Sequence, residues 1–373
     1  MLRLLVRLIL GVPACALLLF AVAANRPWFF RHVVFPAYYV APPEQTLTAL
    51  RCFALLLALG LLACAVIAGR RATAAGALRI ALSLVASVVA CDLLLRAVPV
   101  RPEARSPHPR LEWLLGVPDA RTGWAFLPRR EVELTTPGSG RVVRYATDAH
   151  GDRAPAPDWI EDAQAPTLIV AGESIATGHG LAWSDTFPAR LGTLLSLQVV
   201  VVAEGGYSTA QAHLRALDAL ARLAHPAALV MTVLPVQLKR NLLEDRPRLV
   251  ERDGQLVLVP GERAQRGLRR LFNEGLPYLN DARLAESLSL THAILAASAA
   301  AARAKGARPL FVVPTFLAAE AQSDPIDEFV RVALAGLPHV VVRLDPARRI
   351  PWDGHPDEAG ARELAAAIAV ALH

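Results

Sequence analysis

Three short blocks in this 373-residue chain hold side chains that could act together on a carbonyl. Gly172-Glu-Ser174 ends an apolar run, Leu168 to Ala171, that suits a buried parallel strand. A serine just past such a strand, with Gly178 and Gly180 close behind, sits on a strand-to-helix turn, where α/β proteins place ligands. Its own N–H lies at a helix start, which favours a developing negative charge. Asp353-Gly-His355 comes after the last strand signal, and Pro356-Asp357 suits a helix start directly after it. These are the residue types of a nucleophile, a base and the carboxylate that orients the base. Glu204-Gly-Gly-Tyr-Ser208 comes after a second strand, where Gly206 lets main chain approach a substrate closely. Read singly, each block is also an ordinary turn. The set points to acyl transfer through a serine.

Positioning these blocks requires alternating strands and helices. The apolar periodicity predicts strands at 167–171, 198–202, 228–233, 309–313 and 339–344. Helical patterns fall at 186–197, 209–223, 284–305, 325–337 and 358–372. That alternation predicts a doubly wound α/β fold with a parallel sheet. An insertion at 241–278 interrupts it, with a hairpin turning on Asp253-Gly254. Ahead of the domain, 119–160 reads as a β-rich lead-in, with short strands at 130–134 and 141–146 around the turn 137–140. Its polar loop Thr147-Asp-Ala-His-Gly-Asp-Arg153 offers His150 or Arg153, or is simply a solvated hairpin end.

The front of the chain is different. Hydrophobic residues make up 54% of the whole and mean hydropathy is +0.37, the excess lying in residues 1–99. Runs at 4–24, 47–68 and 72–98 are each long enough to cross a hydrocarbon layer as helix, predicting three membrane spans. The first also resembles a signal peptide, with Arg3, Arg7 and Ala21-Val-Ala23. Either way an inside N-terminus leaves the chain beyond about Val100 outside the cytoplasm. Arginine counts inside and outside balance, and the basic start with the Arg70-Arg71 turn tips the orientation. The aromatic loop from Pro27 to Tyr39 suits an interface, and 100–118 reads as a proline-containing juxtamembrane linker. Asp92 and Arg96 share one helix face and are expected to pair near a span's end.

The formal charge of +6 is no nucleic-acid signal. Through residue 120 there are 12 arginines, no lysine and 5 acidic residues, which leaves 27 basic against 28 acidic for the remainder. The basic excess belongs to the membrane end. All four cysteines (Cys15, Cys52, Cys64 and Cys91) lie in the apolar runs, so the remainder has none for a disulfide or a metal site.

In this order, the blocks resemble the SGNH (GDSL-type) hydrolases. Gly172-Glu-Ser-Ile-Ala-Thr-Gly178 is similar to the family's nucleophile block, and Gly180-Leu-Ala-Trp-Ser-Asp-Thr-Phe-Pro-Ala-Arg-Leu191 is similar to the continuation of that block in many members. Gly206-Tyr-Ser-Thr-Ala-Gln211 resembles the glycine block, and Asp353-Gly-His355 with Pro356 and Gly360 the terminal block. Gly123-Trp-Ala-Phe-Leu-Pro128 and 147–153 look like the segment that precedes this domain in membrane-tethered bacterial members. The resemblance covers roughly 120–373. It implies an SGNH-type, flavodoxin-like three-layer α/β/α domain over 161–373. In the implied roles Ser174 is the nucleophile, His355 the general base and acid, and Asp353 the orienting carboxylate. The Ser174 and Gly206 amides would hold the oxyanion. Three departures stand out. Glu173 replaces the usual aspartate, and the acid precedes the histidine by two residues where three is commoner. The third block normally offers an asparagine, and in the corresponding stretch Val233-Leu-Pro-Val-Gln-Leu-Lys-Arg-Asn241 Gln237 falls closest to its place, with Asn241 one helical turn later.

The implied function is a membrane-anchored serine esterase or acyltransferase in the cell envelope, acting on O-acyl groups of extracytoplasmic glycans or lipids. It needs no metal or organic cofactor and no nucleic acid. The competing expectation is an inactive SGNH-like domain serving as a scaffold or glycan-binding subunit.

Overall fold

The computed structural model describes residues 2–25, 28, 44–70, 73–97, 114–136, 140–262, 278, 280–316, 325–351 and 353–373. The expected linker at 100–113, most of the aromatic loop, Arg71, the lead-in turn at 137–139 and the insertion's 263–277 lie outside these residues. Two compact units result, Met1–Val100 with Gln265–Asp281, and Arg101–Ala264 with Ala282–His373.

In the first unit, stretches rich in leucine, alanine and valine form three long helices: α1 (Leu2–Ala23), which holds Pro13 within it, α2 (Glu44–Arg70) and α3 (Ala74–Ala97). Val6 and Leu10 of α1 bury themselves against Ala65 of α2, with Leu61 and Ile80 packed on the cluster. Arg51 donates from Nε to the Ala21 carbonyl at 2.7 Å, so its charge also serves the end of α1. Most apolar side chains point outward: Leu4, Phe53, Leu56, Leu82 and Leu94 are each more than half exposed. The stretch Leu4–Ala23 is long and apolar enough to cross a membrane. Arg96 and Asp92 form the expected pair at 2.6 Å.

The second unit is built on an eight-stranded sheet. Its parallel part comprises β6 (Thr167–Gly172), β7 (Gln198–Ala203), β8 (Pro226–Thr232), β11 (Arg308–Thr315) and β12 (His339–Arg343). Their spatial order is β12-β11-β8-β6-β7. The chain leaves β6 for one side, then returns to build outward on the other, as in doubly wound folds. The point of reversal is the carboxyl end of β6. Leu168, Ile169, Val170 and Ala171 are fully buried there, as expected for a strand covered on both faces.

The lead-in is not a separate layer. Here β3 (Glu131–Thr135), β4 (Val142–Thr147) and β5 (Arg153–Ala154) extend the same sheet antiparallel beyond β7, through Arg153 opposite Val201. A hairpin of β1 (Gly116–Asp119) and β2 (Gly123–Phe126) precedes them. In the insertion, β9 (Arg248–Arg252) and β10 (Gln255–Val259) turn on Asp253-Gly254, both at positive φ as a type I′ hairpin requires.

Helices cover the sheet: α4 (Ser174–Thr177), α5 (Phe187–Leu195), α6 (Thr209–Arg222), α7 (Val236–Leu242), α8 (Asp281–Ala304), α9 (Pro325–Ala333) and α10 (Glu358–Leu372). Helix α8 is also apolar enough to span a membrane, yet half of it is buried inside this unit. Ile294 packs with Ala210 and Leu249. Its Ser287 donates to the Leu238 carbonyl at 2.8 Å, and Thr291 and Ser298 meet Asn241 and His213. That polar stripe makes it a core helix.

Candidate active site

The nucleophile turn begins where β6 stops. Gly172, at φ +150, takes a backbone conformation that L side chains rarely adopt. Glu173 then caps the one-turn helix α4, its Oε1 accepting from the Ile175 N–H at 3.1 Å. The far end closes as a Schellman motif: Gly178 in the left-handed region donates to the Ile175 carbonyl and His179 N–H to the Ser174 carbonyl. Ser174 is therefore fixed at both ends of a single helical turn.

The second loop joins β12 to α10. Ile350 N–H donates to the His355 carbonyl at 2.7 Å and Asp357 N–H to the Arg348 carbonyl at 2.9 Å, which ties the loop across its base. Asp357 caps α10 by accepting from Ala359 and Gly360 N–H. Gly354, at φ +85, turns the chain between Asp353 and His355. The short acid-to-histidine spacing reaches the imidazole after all: His355 Nδ1 is hydrogen-bonded to Asp353 Oδ1. On its other side His355 Nε2 lies 2.7 Å from Ser174 Oγ. A hydroxyl, an imidazole and a carboxylate thus form one chain of contacts, the geometry of an activated serine.

Two further contacts were not visible in the sequence. Ser174 Oγ also lies 2.5 Å from Glu173 Oε2, so its single proton has two acceptors. His179 Nε2 lies 3.2 Å from Asp353 Oδ2, and its ring stands 4.7 Å from that of His355. The only local hint was Gly178 as a helix stop, which puts the next residue back over the turn. The facing nitrogens and oxygens of His179, Asp353 and His355 lie within 4.8 Å of one another, close enough to share a metal ion. The His355–Asp353 hydrogen bond and the 3.2 Å His179–Asp353 contact already engage these atoms. In a second group, Asp148, Asp152 and Glu161, Arg215 and Arg222 supply the positive charge, each 2.5 Å from Asp152.

The glycine block comes after β7 at the same sheet edge, since Gly172 and Ala203 are paired across parallel strands. Gly206 has φ +76, and its carbonyl accepts from Arg246 Nη1 at 3.2 Å. Behind it Tyr207 donates to the Trp124 carbonyl at 2.7 Å. Burial pushes the Glu204 carboxyl up to about 8, against the pull of its 2.8 Å bond from Phe126 N–H. Gln237 is fully buried. Its Oε1 accepts from Leu234 N–H at 2.8 Å and its Nε2 donates to the Tyr207 carbonyl at 3.4 Å. Asn241 accepts from Ala210 N–H and donates to Thr209 and Thr291. Both amides thus join main chain and helices behind the glycine turn. Of the lead-in candidates, Arg153 is buried with its guanidinium 4.0 Å from the Tyr145 ring centroid, donating to the Leu181 carbonyl at 3.3 Å, while His150 is exposed.

Among solved structures, a putative lipolytic protein of the G-D-S-L family from Desulfitobacterium hafniense is similar to 55% of this chain over 98% of its own, at 12% identity and TM-score 0.34. A catalytic mutant of an acetylxylan esterase from Geobacillus stearothermophilus is similar over 57% of this chain and 96% of its own, at 14% identity and TM-score 0.38. A family two carbohydrate esterase from Cellvibrio japonicus is similar over 62% and 71%, at 12% identity and TM-score 0.31. No protein-family model matches the chain, and no curated protein matches it by sequence.

Proposed function

We propose that this protein is a membrane-anchored serine esterase or acyltransferase of the SGNH type. The observation that carries the reading is the 2.7 Å contact between Ser174 Oγ and His355 Nε2, with Asp353 on the opposite ring nitrogen. Ser174 attacks an ester carbonyl as its proton passes to His355 Nε2. The tetrahedral oxyanion is held by the main-chain N–H groups of Ser174 and Gly206, with Gln237 bracing the turn that carries Gly206. His355 returns the proton to the leaving alkoxide, and an acyl-serine remains. Water, or an acceptor hydroxyl, then attacks it with His355 again as base. Asp353 holds the imidazole with Nδ1 protonated throughout. This chemistry needs neither a metal nor an organic cofactor.

The exposed apolar faces of α1, α2 and α3 support membrane tethering. The favoured topology puts the α/β unit outside the cytoplasm, where the ester substrates are O-acyl groups of envelope glycans or lipids. A serine-directed fluorophosphonate should label the native protein, and Ser174→Ala should abolish both the label and the hydrolysis of p-nitrophenyl acetate. Label retained by the alanine variant overturns the assignment.

One observation favours a second reading, an inactive scaffold or glycan-binding subunit. The Glu173 carboxylate lies 2.5 Å from Ser174 Oγ and competes with His355 for its proton. A native protein that takes no label supports that reading.

A further inference from the structure

We propose that His179 is a positioning residue for the serine reaction, holding the second oxygen of Asp353 and tying the nucleophile turn to the acid–histidine loop. The inference rests on the esterase reading and adds a fourth side chain to it.

Three observations carry it. His179 is the residue after the left-handed Gly178, and its N–H closes α4 onto the Ser174 carbonyl at 3.0 Å. Its main chain is therefore part of the device that fixes the nucleophile. Its side chain reaches the other loop, with Nε2 3.2 Å from Asp353 Oδ2. Asp353 Oδ1 is the oxygen that meets His355 Nδ1, so each carboxylate oxygen faces one imidazole. The two rings stand 4.7 Å apart at 39°, in contact along one side.

The two loops follow the first and the last of the parallel strands, and a nucleophile and base must be held within fractions of an ångström. An acid only two residues before the histidine can rotate about its own χ angles while the loop stays in place. A donor on its free oxygen removes that rotation. His179 supplies the donor from the very turn that carries Ser174, so the carboxylate is registered against the nucleophile as well as against the base. A positioning role of this kind acts on the chemical step and leaves ground-state binding alone.

The test uses the full-length protein in detergent, with p-nitrophenyl acetate turnover and fluorophosphonate labelling as readouts. His179→Ala should lower kcat and the labelling rate about 10- to 100-fold with KM within about twofold of native. His179→Gln, whose amide can donate to the same oxygen, should recover activity to within about fivefold of native. In an Asp353→Ala background the further change His179→Ala should cost almost nothing, because the interaction it removes is already gone. The proposal is overturned by an alanine variant within twofold of native, by a loss confined to KM, or by independent, multiplying losses in the double variant. Should His179→Ala fail to fold, a folded His179→Gln as inactive as Asp353→Ala overturns it equally. A native protein that neither turns over nor takes the label sinks the parent esterase reading first, and this one with it.

Discussion

Ser174 has one proton and two acceptors within hydrogen-bond distance, and which acceptor holds it decides the resting state. Glu173 also caps α4 through its other oxygen, so the side chain has separable duties. Glu173→Asp keeps a capping carboxylate but loses a methylene of reach. If the contact to Oγ is worth a typical net hydrogen bond of ~1 kcal/mol, the substitution should speed fluorophosphonate labelling about fivefold. An unchanged or slower rate removes Glu173 as a competitor. Glu204 makes a different prediction. Its folded pKa of about 8 stands above the ordinary 4.5, so between those values the unfolded chain sheds a proton that the folded chain keeps. Stability should fall as pH rises through that window, by about 1.4 kcal/mol per pH unit. Glu204→Gln keeps an oxygen for Phe126 N–H and removes the titration. Its Tm advantage over the native protein should therefore grow from pH 5 to pH 8. Comparing the two cancels the contribution of His213, which burial holds down at about 4. Parallel Tm curves would refute the buried-carboxyl account. The grouping of Ser174, Asp353 and His355 was legible because each sits within two residues of a glycine, in a loop that follows a parallel strand. His179 was not, since a lone polar residue carries no spacing signal toward a distant loop, and the Glu173 contact with its neighbour depends on a rotamer that no sequence pattern sets.

At the level of elements, the site depends on how strands stop. Gly172 ends β6 at φ +150, and a Cβ there would fall 1.9 Å from Thr232 Oγ1 on the neighbouring strand. Gly172→Ala combines a disfavoured backbone with a clash between sheet strands, and should cost about 3 kcal/mol or more in urea unfolding. A variant within 1 kcal/mol of native would show that β6 and β8 can part without strain. The five parallel strands, and the hairpin on Asp253-Gly254, were readable because apolar runs of that length between helical patterns and turns admit few alternatives. The β1–β2 hairpin was not, because Gly116-Val-Pro-Asp119 carries no alternation and a proline within it. Nor could the pattern at 130–146 say whether its strands formed their own layer or joined the main sheet. That is settled by Arg153 pairing with Val201, a long-range contact no local window contains. Gln237, expected closest to the place of an oxyanion donor, is buried with its amide engaged by Leu234 and Tyr207 main chain.

For the whole molecule, the two units make separable predictions. The native protein should sediment with membranes and resist carbonate extraction, because α1 alone offers a 20-residue stretch of mean hydropathy 2.5. An alkaline phosphatase fused after His373 should be active if the α/β unit is extracytoplasmic, and a fluorescent-protein fusion should then be dark. The reverse pattern would invert the topology while leaving the chemistry intact. The antiparallel extension of the sheet also changes how copies of the chain meet. A parallel sheet ending at β7 would present a hydrophobic strand with a free row of amides, open to annealing with a neighbouring copy. The sheet instead ends on β3, where Glu131, Glu133 and Thr135 face solvent and Glu133 is paired with Arg144 at 2.9 Å. A rim of carboxylates is poor ground for another strand. A protein crowded among its own copies in two dimensions would thereby stay unpolymerised along that side.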